Sequence, residues 1–269
     1  MKFFDTHCHL NLEPLKDQFD QIITELKRQN CYANIVGIDL ESSLAAVELA
    51  TKSEMLFCTI GIHPTEVHKL DNESEIIAVF ENLLKNKNKN KIIAIGETGF
   101  DFFHFSAEEY TTQKQVQEKW LRIHSALAKK YDLPLILHVR DAHAEMLVEL
   151  QQNQHYGIIH CFTQNYEIAQ QYLSLTNKWF LSIPGVLTFK KAIDIQEAVK
   201  QISLNKLLIE TDAPWLAPMP YRGKTNYPQY SLETLKKIAE LKSLDLTVCA
   251  EQIFANTLEI FKLNKENLR

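Results

Sequence analysis

The stretch FFDTHC at residues 3–8 sets the pattern of the chain, because it is a short apolar run that ends in polar residues. Seven further runs of this kind follow it, and segments with the apolar spacing of amphipathic helices lie between them. Strands that are apolar along their whole length are typical of parallel sheets covered on both faces. The predicted strands are Phe3–Cys8, Ala33–Ile38, Leu56–Ile60, Ile92–Gly96, Pro134–Val139, Gly157–Cys161, Trp179–Ile183 and Leu207–Thr211.

Eight strand–helix repeats without a break in composition predict an α/β protein with a single (β/α)8 (TIM) barrel domain over residues 1–269. A chain of 269 residues also fits two domains of about 150 residues. The alternative fold is an open doubly wound sheet, which usually carries a glycine-rich phosphate-binding turn after an early strand. Neither GxGxxG nor GxxxxGK[ST] occurs in the sequence, so the barrel is favoured.

The composition is that of an ordinary globular protein, with 45% apolar and 23% charged residues. Glycine and proline make up about 6% of the chain, half the typical share, which excludes a collagen-like or low-complexity protein. No run approaches about 18 apolar residues, and the N-terminus lacks the apolar segment of a signal peptide. We therefore expect a cytoplasmic protein without a membrane partner.

The cysteines and the net charge argue against further classes of site and function. Five cysteines are scattered without a CxxC pair, which predicts buried thiols rather than disulfides or a cysteine zinc site. The formal charge of −5 argues against a protein that coats duplex nucleic acid through many phosphate contacts. A small nucleic-acid site centred on a metal remains open.

Ionisable side chains stand at the ends of most predicted strands, where turn residues would be ordinary. His7 and His9 lie two residues apart at the end of the first strand, so their side chains share a face. In a barrel all such strand ends meet at the C-terminal rim, where barrel active sites lie. The same rim would collect His63, Glu97, His138, Arg140, His160, Glu210 and Asp212.

This concentration of ionisable groups predicts a metal centre, because a cation neutralises carboxylates and takes imidazoles as ligands. Four histidines and two or three carboxylates exceed the ligand number of one tetrahedral ion, so we predict two divalent ions. Glu97 is predicted to bridge them, and Asp212 to bind an ion and accept a proton from a bridging water. Zinc, manganese, iron and magnesium all remain open.

Seven stretches of the chain together resemble one known family. They are DTHCHL (5–10), GIHP (61–64), GETGFDF (96–102), LPLILHVRDA (133–142), HCF (160–162), GVLTFK (185–190) and IETDAPWLAPMPYRGKTNYP (209–228). In this order, over nearly the whole chain, they resemble the TatD-type metal-dependent deoxyribonucleases of the amidohydrolase superfamily.

The resemblance implies a barrel that carries a divalent-metal nuclease site. It implies that His63 and Glu210 lie near the phosphate site, where some members hold a third ion. Glu97 matches the position at which many amidohydrolases carry a carbamylated lysine, so no lysine modification is needed. The core metal ligands implied by the resemblance are His7, His9, Glu97, His138, His160 and Asp212.

The chain departs from the family pattern at the rim. Thr163 and Gln164 stand where the family often has Ser-Gly, and Tyr227 stands where it often has glutamate. These departures bear on substrate fit and ion preference and leave the ligands untouched.

Three cations are predicted to bind substrate phosphate. Arg140 shares a face with His138, and a guanidinium binds phosphate oxygens in bidentate fashion; a salt bridge to a rim carboxylate is the alternative. Arg222 and Lys224 lie in the proline-rich loop 214–228, for which an ordinary surface loop is the alternative. The aromatic run of residues 102–105, which includes His104, is predicted either to stack an unpaired base or to pack in the core.

The leading hypothesis is a phosphodiesterase that cleaves DNA from a single-stranded or frayed end through a metal-bridging hydroxide. Arg140 would steady the developing charge, and His63 or Glu210 would assist at the leaving oxygen. Cysteine nucleophiles are not expected, because Cys161 should alternate away from the site. The alternatives are a hydrolase of a small ester, amide or lactone, an acyl-nucleotide or acyl-tRNA esterase, and a structural metalloprotein. No obligate protein partner is predicted.

Overall fold

Eight short parallel strands form one sheet whose strand order follows the chain, which confirms the predicted (β/α)8 barrel. The computed structural model describes residues 1–264 and 268, apart from residues 71, 104, 107, 154 and 177. The strands are β1 (Phe3–Cys8), β2 (Cys31–Val36), β3 (Leu56–Ile60), β4 (Ile92–Asp101), β5 (Leu135–Arg140), β6 (Gly157–Ile159), β7 (Trp179–Ile183) and β8 (Leu207–Ile209).

Helices cover the outside of the sheet, and several begin at side chains suited to a helix N-terminus. Asp39 accepts a hydrogen bond from the Ser42 backbone N–H, and Asn165 does the same for Ile168. Among the described helices, none combines the length and apolar character that a bilayer crossing requires. The helices are α1 (Phe19–Gln29), α2 (Leu40–Thr51), α3 (Glu73–Lys85), α4 (Tyr110–Tyr131), α5 (His143–Gln152), α6 (Tyr166–Leu175), α7 (Ile193–Gln201), α8 (Ser231–Leu241) and α9 (Leu246–Phe261).

The core lies between the sheet and the helices, where large side chains such as Phe80, Tyr172 and Trp179 are fully buried. Burial of each such side chain contributes roughly 1.5–3 kcal/mol. Beneath the rim, buried polar side chains of neighbouring strands are hydrogen-bonded to one another. Asn34 donates to Thr59 Oγ1 at 2.8 Å and to the Thr6 carbonyl at 3.1 Å. These hydrogen bonds join β1, β2 and β3 beneath the rim.

Strand β4 extends to Asp101, five residues beyond its predicted end. The extension pairs with β5, where Gly99 lies opposite His138. A Cβ on Gly99 would lie 2.1 Å from the His138 carbonyl oxygen, and the φ of Gly99 is +141°, so this approach requires glycine. The close pairing brings Glu97 and Asp101 alongside His138.

The first and last strands meet differently from the other neighbours. Within the described residues, the only bridge of strand type between them is the isolated pair Cys8 and Ala213. At the rim, the Asp212 N–H donates to the His7 carbonyl at 2.9 Å, and the His9 N–H donates to the Ala213 carbonyl at 2.8 Å. The seam between β1 and β8 is thus closed at the end that carries the histidines.

Candidate metal centre

The strand-end side chains meet in the structure around a cavity of about 810 Å³ at the C-terminal rim. They come together because the ends of parallel strands share one rim of a barrel. His7 lies just beneath the cavity and is 1% exposed. Of the predicted site residues, the cavity lining includes His9, His63, Glu97, His138, Arg140, His160 and Asp212.

Glu97 lies at the centre of this cluster. Its Oε1 is 2.7 Å from His160 Nε2 and 2.8 Å from His138 Nδ1. Its Oε2 is 3.3 Å from His7 Nε2, and the side chain is 3% exposed. A buried carboxylate that faces imidazoles from several strands is a candidate metal ligand.

His7, His9 and Asp212 form the β1–β8 side of the cluster. The His9 ring donates from Nδ1 to the Val36 carbonyl at 3.0 Å, so the lone pair of Nε2 points into the cluster. This Nε2 is 3.2 Å from His7 Nε2 and 3.5 Å from Asp212 Oδ1. A histidine fixed by its second ring nitrogen in this way is typical of metal ligands.

Asp101 fixes the orientation of the His138 ring, as the Val36 carbonyl fixes that of His9. This role was not predicted from the sequence. Asp101 Oδ2 is 3.0 Å from His138 Nε2, so Nδ1, which lies 2.8 Å from Glu97 Oε1, is the ring nitrogen available to an ion that displaces the proton between them. Gln117 on α4 holds the Asp101 backbone through two hydrogen bonds, both 3.0 Å long. Residues an even number apart share a strand face, so Asp101 shares a face with Glu97. The sequence would have shown this if β4 had been predicted to continue past Gly96.

Glu210 lies deeper than the sequence reasoning expected. It is 0% exposed, lies outside the described cavity lining, and accepts a hydrogen bond from the Cys161 N–H at 2.6 Å. Its Oε1 is 3.4 Å from His160 Nδ1. The Glu210 carboxylate therefore lies behind His160. His63, which was predicted to lie near Glu210, is instead grouped with Glu97 and His138 among the described residues.

His63 is oriented by its own loop. The Thr65 backbone N–H donates to His63 Nδ1 at 3.2 Å, so the neutral ring carries its proton on Nε2. That atom is 3.5 Å from Glu97 Oε1. Burial lowers the pKa of His63, and nearby His138 adds to the effect, so the ring is a neutral hydrogen-bond donor at pH 7.

The electrostatics keep the carboxylates of the cluster ionised. Burial alone would raise the pKa of Glu97, but nearby His160, His63 and His7 outweigh it and hold that pKa well below its usual value. Burial likewise opposes ionisation of Asp212, yet its hydrogen bond with His9 lowers its pKa overall. Two ionised carboxylates beside imidazole lone pairs form a donor set suited to divalent ions.

The same residues pass a test of fit for metal ions. Glu210 Oε2 and His7 Nδ1 are buried without a hydrogen-bond partner in the described part of the protein, so the cluster is incomplete as a purely protein network. Three groups each offer ligand atoms within 4.8 Å of one another: His7 with His9 and Glu97, His63 with Glu97 and His138, and His7 with His160 and Glu210. Glu97 belongs to two of these groups.

Only one of the three predicted phosphate-binding cations lies among the described lining residues. Arg140 is exposed at the mouth, and its guanidinium lies 3.7 Å from the centre of the Phe103 ring. No ion pair joins Arg140 to a carboxylate in the described ranges. Arg222 lies outside the lining and stacks on Phe189 at 4.4 Å, and Lys224 also lies outside it.

The aromatic run after β4 is divided between the core and the mouth. Phe102 is 8% exposed and packs against Phe100, whereas Phe103 is 52% exposed and lines the cavity. His104 lies outside the described residues. Cys161 also lines the cavity, contrary to the expected alternation, because β6 ends at Ile159 and Cys161 has a φ of +47°.

We expect Asp101→Asn to weaken metal binding by about 10–100-fold, the usual cost of removing a carboxylate that orients a ligand. The amide nitrogen would face His138 Nε2–H and favour the tautomer that carries its proton on Nδ1. Competition against a chelator measures the affinity. Asp132→Asn makes the same change at an exposed aspartate paired with Lys262 and serves as the control. Equal affinities in the two variants would contradict the orienting role.

Comparison with known proteins identifies relatives over the whole length of the chain. An uncharacterized metal-dependent hydrolase of Mycoplasma genitalium is 41% identical, over 97% of this chain and 99% of the relative. An uncharacterized metal-dependent hydrolase of Bacillus subtilis, YabD, is 34% identical over 97% and 99%.

Solved structures share the fold. The Escherichia coli TatD homologue YJJV matches with a TM-score of 0.87 at 23% identity, over 97% of this chain and 98% of that one. A TatD family hydrolase from Entamoeba histolytica matches with a TM-score of 0.82 at 22% identity, over 98% and 99%. The family model described as TatD related DNase matches residues 4–262. The chain therefore belongs to the TatD related DNase family.

Proposed function

We propose that this protein is a metal-dependent phosphodiesterase that cleaves DNA, from an end and on a single or frayed strand. Family membership supports metal-dependent hydrolysis as the reaction class, since the relatives carry that name. The observation that carries the choice of phosphate is Arg140, an exposed cation without a carboxylate partner among the described residues, beside the histidine–carboxylate cluster.

Two divalent ions are the proposed cofactors, held by His7, His9, Glu97, His138, His160 and Asp212. When bound, such ions activate water and neutralise charge on the phosphoryl oxygens. The protein fixes the ligands in advance. Val36 and Asp101 set the tautomers of His9 and His138, and Glu210 buttresses His160 from below. A third ion shared by His63 and Glu210 is not part of this proposal, because the two side chains belong to different groups of candidate metal ligands.

Arg140 binds the phosphate of the substrate in this scheme. Its guanidinium presents a planar fork of donors that matches two phosphate oxygens, and it lies 3.7 Å from the centre of the Phe103 ring. The charge on those oxygens grows as the attacking oxygen approaches phosphorus, so a fixed cation favours the transition state.

Asp212 and His63 handle the protons. Asp212 is ionised and lines the cavity, so its carboxylate accepts the proton of the attacking water. The new P–O bond displaces the sugar oxygen on the other side of phosphorus. His63 presents Nε2–H to the cavity and donates a hydrogen bond to that leaving oxygen, which takes its proton from solvent water. The net charge of −5 suits binding of a strand end rather than coating of duplex DNA.

The test is cleavage of 5′- and 3′-labelled single-stranded oligonucleotides by chelated protein to which Mg²⁺, Mn²⁺ or Zn²⁺ is restored. We expect metal-dependent laddering, and we expect Arg140→Ala to lower kcat/KM by about 10–100-fold, the value of a charge-assisted contact. Arg222→Ala is the matched control, because Arg222 stacks on Phe189 outside the described lining.

Two outcomes would overturn the proposal. If no oligonucleotide is cleaved by protein that elemental analysis shows to hold metal, the substrate is an ester or amide of carbon. If Arg140→Ala and Arg222→Ala lose activity equally, Arg140 has no special relation to the scissile phosphate.

A further inference from the structure

Trp215 is an exposed aromatic residue at the mouth of the metal centre. It follows β8, lines the same cavity as Glu97, and is 50% exposed. The other two tryptophans of the chain, Trp120 and Trp179, are 2% and 1% exposed. Leu216 and Phe103 line the same cavity and are 39% and 52% exposed, so the mouth carries an exposed apolar patch, a feature that marks binding surfaces.

The backbone of Trp215 is held by hydrogen bonds at both its N–H and its carbonyl, so the residue has a defined position at the mouth of the cavity. Its N–H donates to the Asp212 carbonyl at 2.9 Å. Its carbonyl accepts from Asn226 Nδ2 at 2.6 Å, and the same Nδ2 donates to the Thr211 carbonyl at 2.9 Å. Asn226 is itself 0% exposed. The Trp215 backbone is thereby tied to Asp212.

The ring is also placed with respect to the reactive groups. The centroids of Trp215 and His9 lie 5.2 Å apart at an interplanar angle of 61°, an edge-to-face contact. Phe103 follows β4 and Arg140 ends β5, and both strands lie across the eight-stranded barrel from β8, so the two residues line the part of the cavity opposite Trp215. A flat apolar surface on one side and a cation on the other match a nucleotide, which has a π-face and a phosphate.

We propose that Trp215 stacks on an unpaired nucleobase next to the scissile phosphate and thereby selects single-stranded substrate. The inference rests on the proposed function and adds the residue that recognises the base. A paired base is already covered by its neighbours in the duplex, whereas an unpaired base offers its face to the indole.

The first test compares substrates with and without a base. A tetrahydrofuran abasic residue replaces each of the two nucleotides that flank the scissile bond, in turn. With intact strands we expect Trp215→Leu to raise KM by about 10-fold, within the range of base–aromatic stacking, and Trp215→Phe to retain most of the affinity. With the abasic residue at the stacked position, Trp215→Leu and the wild type should perform equally. Equal losses on intact and abasic strands would show that Trp215 only packs against His9, and would overturn the inference.

The second test reads binding without cleavage. In the presence of a chelator, single-stranded oligonucleotide should quench tryptophan fluorescence, because the other two indoles are buried. Trp215→Phe should abolish the change, and the abasic strand should produce none. Absence of quenching in the wild type would overturn the inference. If strands quench the fluorescence but no metal restores cleavage, the proposed function fails while base stacking stands.

Discussion

We expect Glu97→Gln to lower kcat by ~1000-fold or more, beyond the 10–100-fold cost of removing an orienting group. Glutamine keeps the shape of the side chain but removes the charge and turns one ligand oxygen into a donor. Both oxygens of Glu97 face imidazole nitrogens, at 2.7 Å for His160 and 3.3 Å for His7. The amide therefore faces at least one ring nitrogen that is a proposed metal ligand.

Thermal unfolding separates this effect from misfolding. Metal at 100 times its Kd should raise the Tm of the wild type by about 5–10 °C and leave that of Glu97→Gln nearly unchanged. Glu66→Gln is the control, because Glu66 lies after β3 and pairs with Lys69 at 2.7 Å. A Glu97→Gln protein that keeps wild-type metal content and the same Tm shift would show that Glu97 is not a ligand.

The second large effect is a loss of stability in acid caused by His124. This ring is fully buried on α4, donates from Nδ1 to the Trp120 carbonyl at 2.8 Å, and accepts at Nε2 from the Ile62 N–H at 3.1 Å. Burial lowers the pKa of His124 to about 4, although the hydrogen bond with Trp120 opposes the shift. Protonation would place a second donor against the Ile62 N–H.

The direction of the pH dependence follows from the two pKa values. The folded-state pKa of about 4 lies below the unfolded value of about 6.5, so the unfolded chain binds the proton more tightly. The contribution of His124 to stability is therefore complete above pH 6.5 and declines as the pH falls toward 4. The full difference corresponds to about 3 kcal/mol in the free energy of unfolding.

Urea unfolding of the wild type and His124→Gln between pH 7 and pH 4 measures this difference. We expect the gap between the two proteins to shrink as the pH falls, since only the wild type must protonate His124. His68→Gln changes an exposed histidine and serves as the matched control. A gap between wild type and His124→Gln that stays constant from pH 7 to pH 4 would disprove the assignment. Because Ile62 precedes His63, the same contact fixes the start of the loop that carries His63.

The fold was predictable because the strands are mostly apolar without alternation and every strand–helix repeat is intact in the sequence. The ends of the strands were less so. The length of β4 depends on its pairing with β5, and that pairing depends on the close approach at Gly99, a tertiary contact. For this reason no role of Asp101 could be predicted from the sequence.

The site was predictable where a short-range rule applied. The i, i+2 spacing placed His7 and His9 on one face of β1, and the structure brings their Nε2 atoms within 3.2 Å. No such rule gives the depth of a side chain below the rim or the path of a loop. Glu210 lies beneath His160, and Arg222 stacks on Phe189, because long-range packing decides which strand-end and loop residues reach the cavity.

The seam between β1 and β8 couples the chemistry of the rim to the integrity of the barrel. Where the ladder between the two strands is reduced to an isolated bridge, His9 on one side and Asp212 on the other face each other at 3.5 Å. An ion held by both would cross-link the first and last units of the chain, across a loop of about 200 residues. Its binding free energy is then also free energy against local opening of the seam. Release of the ion and local opening of the seam between β1 and β8 would then be linked equilibria.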